Sequence, residues 1–240
     1  MVARLDHSVG QIVRALKEAE MLENSIIIFT ADNGAQTEGL HANSGSNYPL
    51  RGLKFTMFDG GVRGAACIYS PLINSSSRVS NELMHISDWM PTLYSAAGGD
   101  LDDLGEIDGV NQWPSLKDGV ESPRESVLLN LDEFREIAGA VSGKYKLLQG
   151  YQSEYTDFYG DSGVGDEYPR YNATAVITSN VGQAIAEISS SPATAEQIIR
   201  LRSETEISCE PFVKYVNCTG KCLFDMSQDP CETVDISAQH

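Results

Sequence analysis

The run Ser25-Ile26-Ile27-Ile28-Phe29-Thr30 passes directly into Ala31-Asp32-Asn33-Gly34. Its β-branched and aromatic content marks a strand of the buried type, stopped by a polar turn. Upstream, Val2, Leu5, Val9, Ile12 and Leu16 fall in phase on one face of a helix. Helix followed by strand is the repeating unit of α/β folds with parallel sheets, and such sheets bind ligands outside the carboxyl ends of their strands. Asp32 and Asn33 therefore stand where chemistry is done. The opening helix has no capping residue before it, which is the expectation for a chain cut from something longer.

A carboxylate beside an amide oxygen suits a hard divalent cation such as calcium or magnesium. Asp-Asn-Gly is also an ordinary Asx-turn sequence, so these residues alone leave both readings open. Behind the turn comes a Gly-punctuated basic loop, Tyr48-Pro49-Leu50-Arg51-Gly52-Leu53-Lys54, continuing as Phe58-Asp59-Gly60-Gly61-Val62-Arg63-Gly64. Arg51 and Lys54 are its cations between Ala31 and Asp59. An ammonium next to a metal would stabilise the anionic oxygens of a sulfate or phosphate ester, whereas a solvated surface lysine is the ordinary alternative. Arg63 and Asp59 are placed to pair across Gly60-Gly61. His7, His41, His85 and His240 form no recognisable set; His85, at a helix start, reads as structural, and His41 lies nearest the loop. Neither G-x-S-x-G nor H-E-x-x-H occurs, and no nucleophile can be named in the chain.

Composition narrows the partners. Seventeen Lys and Arg against thirty-four Asp and Glu give a formal charge of -17, which repels nucleic-acid phosphates and anionic lipid surfaces. No apolar run approaches the roughly 20 residues that span a bilayer. Cys209, Cys218, Cys222 and Cys231 are spaced C-x8-C-x3-C-x8-C, without the close C-x2-C pairs frequent in structural zinc sites. Disulfides are the expectation, in any of three pairings. Sequons at Asn74, Asn172 and Asn217 agree with a secretory route. Cys67, in Ala65-Ala66-Cys67-Ile68-Tyr69, reads as a small buried hydrophobe within a second strand.

Further along, His85 to Pro91 opens a helix that Gly98-Gly99 closes. The acidic, Gly- and Pro-containing stretch 101–125 is the best boundary, dividing the chain into 1–123 and 124–240. Beyond it, Val127 to Leu131 and Lys144 to Leu148 read as antiparallel strands with Gly139 to Gly143 in the turn before the second. A polar loop, Gly150 to Tyr171, a helix starting at Ser191-Pro192 and a late strand, Cys222 to Met226, complete the chain.

Taken together, Thr30-Ala31-Asp32-Asn33-Gly34, Pro49-Leu50-Arg51-Gly52-Leu53-Lys54, Phe58-Asp59-Gly60-Gly61-Val62-Arg63-Gly64 and His85-Ile86-Ser87-Asp88-Trp89-Met90-Pro91-Thr92-Leu93 resemble the sulfatase family, in order and spacing most like its arylsulfatase B branch. Leu223-Phe224-Asp225, Asp229-Pro230 and Glu232 resemble the family's closing strand and turn. The resemblance implies an alkaline-phosphatase-like α/β fold: part of a large mixed sheet with helices in 1–123, and a small α+β domain with an antiparallel sheet in 124–240. It implies a sulfuric ester hydrolase acting on sulfated small molecules or glycans, lysosomal or secreted. Asp32 and Asn33 would be metal ligands, for calcium or else magnesium, and Lys54 would contact the sulfate and serve catalysis. The family's nucleophile is a formylglycine made from the cysteine of a C-x-P-S-R motif. Here the sole C-x-P is Cys209-Glu210-Pro211, followed by Phe212-Val213, so that group is expected upstream of this chain. The alternatives are a binding module on the same scaffold, or a phosphoesterase of the wider superfamily, whose members place His where this chain has Asn33.

Overall fold

The computed structural model describes residues 1–163, 170–189, 191–209 and 217–239. Helix α1 (Val2–Glu18) is followed by a 3-10 turn and β1 (Ile27–Thr30). A long irregular segment leads to a four-residue helix, α2 (Asp59–Val62), and the chain returns as β2 (Ala66–Tyr69). β2 pairs antiparallel with β1, Ile27 opposite Tyr69 and Thr30 opposite Ala66. The parallel pairing expected of the helix-to-strand unit is not made between these strands. The strands are also less buried than their composition predicts. Among the described residues this sheet has two strands, no further strand shields it, and Phe29 is 45% exposed. Cys67 on β2, expected to be buried, is an exposed free thiol for the same reason.

Helix α3 (Trp89–Ala96) starts from a 3-10 turn capped by His85: its ring accepts the Ser87 N–H at 3.4 Å, and Asp88 accepts the His85 N–H at 2.8 Å. His85 is structural, as its position predicts. Helix α4 (Trp113–Asp118) and a 3-10 turn at Leu101–Leu104 occupy much of the acidic stretch that reads as a connector. Then follow β3 (Ser126–Asp132), β4 (Ile137–Ser142), β5 (Tyr145–Gln149), the helices α5 (Ala173–Ile177), α6 (Asn180–Ile188) and α7 (Ala195–Glu204), and β6 (Lys221–Asp225). The last four strands form an antiparallel sheet in the order β3-β4-β5-β6.

Strand β4 corrects the sequence reading, which puts Gly139 to Gly143 in a turn. Its small residues answer to packing rather than to turning. A Cβ on Gly139 would lie 2.5 Å from Met57 Sδ and 3.1 Å from Leu148 Cδ2, so the strand must be bare where Met57 crosses it. Gly139→Ala is expected to cost about 1–2 kcal/mol in urea unfolding, the usual penalty for overfilling a packed site. An unchanged midpoint would show that Met57 swings aside freely.

The core joins the segment before α2 to the C-terminal sheet. Met57 and Phe58, from the loop before α2, pack with Leu148 of β5 and Cys222 and Phe224 of β6. Phe58 and Phe224 meet edge to face with centroids 6.3 Å apart, a favourable aromatic geometry. Far from this core, α1 approaches α6 closely at Gly10, where a Cβ would be 2.8 Å from Asn180 O. Asp6 accepts the Asn180 N–H at 2.9 Å, so a carboxylate of α1 caps the N-terminus of α6. The buried residues of α1 are consequently Gly10 and Val13, while Leu5 and Ile12 of the predicted apolar face stay exposed. Disulfides join Cys209 to Cys231 and Cys218 to Cys222, each with Cα atoms 5.8 Å apart. No helix among the described residues is long and apolar enough to cross a membrane.

Candidate active site

β1 delivers its turn to the open end of the β1–β2 pair. Asp32 Oδ1 accepts the Asn33 N–H at 2.9 Å, and Asn33 Nδ2 donates to Gly34 O at 2.7 Å. Of the two readings the sequence leaves open, the Asx turn is formed, and its hydrogen bonds do not use every side-chain oxygen. The turn uses one oxygen of Asp32 and the nitrogen of Asn33. Asn33 Oδ1 and Asp32 Oδ2 have no hydrogen bond among the described residues.

Gly34 is held against α2. Its N–H donates to Gly61 O at 2.9 Å, and a Cβ at position 34 would lie 1.7 Å from Gly60 O. No side chain fits there, and a Cβ at Gly60 or Gly61 would in turn lie 2.3 Å from Gly52 O or Thr56 O, so each of the three positions calls for glycine. Asn47 then ties the turn to the basic loop: its Oδ1 accepts the Ala35 N–H at 2.7 Å, and its Nδ2 donates to Ala35 O at 2.9 Å and to Gly52 O at 3.2 Å. Sequence reasoning missed Asn47. A polar residue 9% exposed in an otherwise irregular segment is recognisable only once the fold brings Ala35 and Gly52 together.

The two loop cations have different fates. Lys54 is half-buried, its N–H donates to Ala35 O at 3.2 Å, and its Nζ lies 5.5 Å from the centre of the Phe55 ring. Arg51 is fully buried. It donates to Thr156 O and Glu232 O, each at 2.6 Å, and stacks on Phe58 at 4.0 Å, so it joins the loop to the rest of the molecule and does not face solvent. A concavity of about 270 Å³ beside the turn is lined by Asn33, Gly34, Asn47, Tyr48, Gly60 and Arg63, among others; Asp32 and Lys54 do not line it. Arg63 meets Asp59 at 3.6 Å, the pairing predicted across Gly60-Gly61.

Buried charge joins this region to the C-terminal sheet. Lys146 of β5 sits with its Nζ 2.7 Å from Asp59 Oδ1 and 2.7 Å from Glu232 Oε1, and Glu232 Oε2 accepts the Asp59 N–H at 2.7 Å. The Lys146–Glu232 contact is an ion pair without hydrogen-bond alignment, and Oε1 has no hydrogen-bond partner. Burial, helped by the Asp59 charge and opposed by Lys146, pushes the Glu232 carboxyl up to about 7. At a second junction Asp88 pairs with Arg124, whose Nε donates to Asp88 Oδ2 at 2.7 Å. Burial would raise that carboxyl, but Arg124 and the N–H groups of His85 and Val110 outweigh it and hold it below the usual range.

Residues 1–99 match the family model for sulfatase. The chain is 41% identical over 132 residues to arylsulfatase J of Mus musculus, covering 55% of this chain and 21% of that protein. It is 31% identical over 194 residues to arylsulfatase A of Homo sapiens, covering 78% of this chain and 36% of that protein. Over residues 1–99, where the family model matches, the chain belongs to the sulfatase family. The PsFucS1 sulfatase from Pseudoalteromonas sp. superposes with a TM-score of 0.58 at 23% identity, over 96% of this chain and 36% of that one, which places the fold among alkaline-phosphatase-like sulfatases. The chain spans about a third or less of the length of these relatives. Its Asp32 and Asn33 offer oxygen donors of a kind that suits a hard divalent cation, and alone they would fill only part of the roughly six to eight positions that calcium takes. Among the described residues no group of three or more His, Cys, Asp or Glu side chains converges on a metal position.

Proposed function

We propose that this chain carries the metal-holding and sulfate-facing part of a sulfuric ester hydrolase site, with Asp32 and Asn33 as ligands of a divalent cation, calcium before magnesium, and Lys54 as the catalytic contact to the sulfate. The observation that supports it best is the turn itself: two hard oxygens with no hydrogen bond among the described residues, on a backbone clamped between Gly60-Gly61 and Asn47. A bound cation would neutralise charge on the sulfate oxygens during ester cleavage. Lys54 is anchored through its main chain to Ala35, one residue beyond the turn, which keeps its ammonium within the same loop cluster. Asn47 and Gly61 hold the Asx turn in place and so set the spacing of the two ligand oxygens.

The nucleophile comes from outside these residues in this reading. Cys209, of the sole C-x-P, is bonded to Cys231, and its sulfur is not available for conversion; Glu210 and Pro211 lie outside the described residues. The purified chain alone is therefore expected to hydrolyse no aryl sulfate, and clear turnover would overturn this assignment. Sulfated glycans are the substrate class proposed for the whole enzyme, in a lysosomal or secreted setting that suits two disulfides.

Calcium titration of the chain by calorimetry tests the ligand assignment. Asp32→Ala is expected to weaken calcium by at least about tenfold, since even outer-shell losses at metal sites cost about 10- to 100-fold. Lys54→Ala should leave calcium affinity unchanged while abolishing the shifts that inorganic sulfate causes at the Ala35 and Lys54 amides. Equal calcium affinity in the wild type and Asp32→Ala would refute the assignment.

A further inference from the structure

We propose that Glu232 and Lys146, which lie outside the family-matched residues 1–99, are positioning residues for the Asp32-Asn33-Gly34 turn and act on it through α2. The idea deepens the reading of that turn as a metal site and rests on it for its functional meaning. The geometry is a continuous chain of short contacts. Glu232 grips the loop at two points: its main-chain carbonyl receives Arg51 Nη1 at 2.6 Å, and its Oε2 receives the Asp59 N–H at 2.7 Å. Lys146 grips the same first residue of α2 by its side chain, at 2.7 Å from Asp59 Oδ1. Between these points the Gly60 N–H donates to Arg51 O at 2.6 Å, so Arg51, Asp59 and Gly60 are bound into one unit. Gly61 then accepts the Gly34 N–H at 2.9 Å, and Gly60 O closes off the space where a Cβ of residue 34 would stand.

Two features separate this from ordinary packing. Lys146 and Glu232 are both 0% exposed, and a buried ion pair is weak evidence for stability but a known means of fixing one arrangement. Glu232 also has φ +56, in the left-handed region that non-glycine residues rarely enter. Such a conformation persists where surroundings over-determine it, and it clusters at functional sites. Here it directs the carbonyl and the carboxylate of one residue to Arg51 and to Asp59. A turn held only by its own Asx hydrogen bond would have no need of a residue two hundred positions away.

Residue-resolved amide exchange on the whole chain tests this. Glu232→Ala removes the acceptor of the Asp59 N–H, and Gly34 and Asp59 exchange is expected to accelerate by on the order of tenfold more than that of Leu147 in β5. Glu232→Gln keeps an oxygen for the Asp59 N–H and should restore much of the Gly34 protection. Equal acceleration at Gly34 and Leu147 would reduce Glu232 to a stabilising residue, and an unchanged Gly34 would refute the link. If the Ala variant fails to fold, the wild type decides: Gly34, Asp59 and Gly60 should open as one unit, and Gly34 opening far more readily than Asp59 overturns the proposal. Calcium-induced shifts at Asn33 and Gly34 in the wild type report separately on the metal reading. Their absence would remove that reading and leave the exchange result to judge the mechanical link.

Discussion

Lys146→Met is expected to lower the unfolding free energy by about 3–5 kcal/mol at pH 8, the scale found when one partner is taken from a buried charge pair. The ammonium is fully buried and touches two carboxylates at 2.7 Å. Without it, Asp59 and the fully buried Glu232 face each other with no cation between them. Proton uptake by Glu232 relieves part of that cost, so the loss should be smaller at pH 5 than at pH 8. The double variant Lys146→Met/Glu232→Gln removes the uncompensated charge and should recover most of the stability, because buried ion pairs and apolar or neutral replacements are often close in free energy. Urea unfolding of the three proteins at both pH values measures this. A loss below about 1 kcal/mol at pH 8 would mean that Lys146 is not paired in the interior as described.

Much of the site was legible because its signals are local. The apolar strand before Asp32, the Asp-Asn-Gly turn and the glycines around Asp59 each announce themselves within a few residues, and the strands at Val127, Lys144 and Cys222 do the same. What escaped is set by contacts between distant segments. Arg51 reads as a loop cation, yet Thr156, Phe58 and Glu232 enclose it, and none of these is a sequence neighbour within one turn of structure. Lys146 reads as an ordinary strand residue; period-2 alternation puts it on the buried face with Leu148, where a charge is tolerated only because Asp59 and Glu232 arrive from elsewhere. Gly139 looks like a turn residue because Met57, its reason for being small, is far off in sequence. Burial of β1 and β2 was overstated since composition reports what a strand suits, not what covers it.

The same buried cluster should also set how stability responds to pH. Lys146 presents one positive charge to two carboxylates, so full ionisation buries a net negative charge, and Glu232, the less exposed of the two acids, is the one to take up a proton. Its carboxyl is pushed from 4.5 up to about 7, first by burial and then by Asp59, against the pull of Lys146; Arg51 binds its main chain and Arg63 partly offsets Asp59. Between these two values the folded chain holds a proton that the unfolded chain has released. Stability from this group is therefore complete below about pH 4.5 and falls as pH rises towards 7, by on the order of 3 kcal/mol in all. Asp88 and Asp235 are shifted the other way, so their contribution is present above about 3.8 and lost as pH falls through lower values. Lys146, raised above 10.5, gives up its contribution only at higher pH. The sum predicts greatest stability near pH 4.5–5 and a decline towards neutrality. Urea midpoints at pH 5, 6, 7 and 8 check it against Glu232→Gln, which should lack the decline. A wild-type profile rising from pH 5 to 7, or an equal decline in the Gln variant, would assign the proton elsewhere and return Glu232 to the status of an ordinary ionised partner of Lys146.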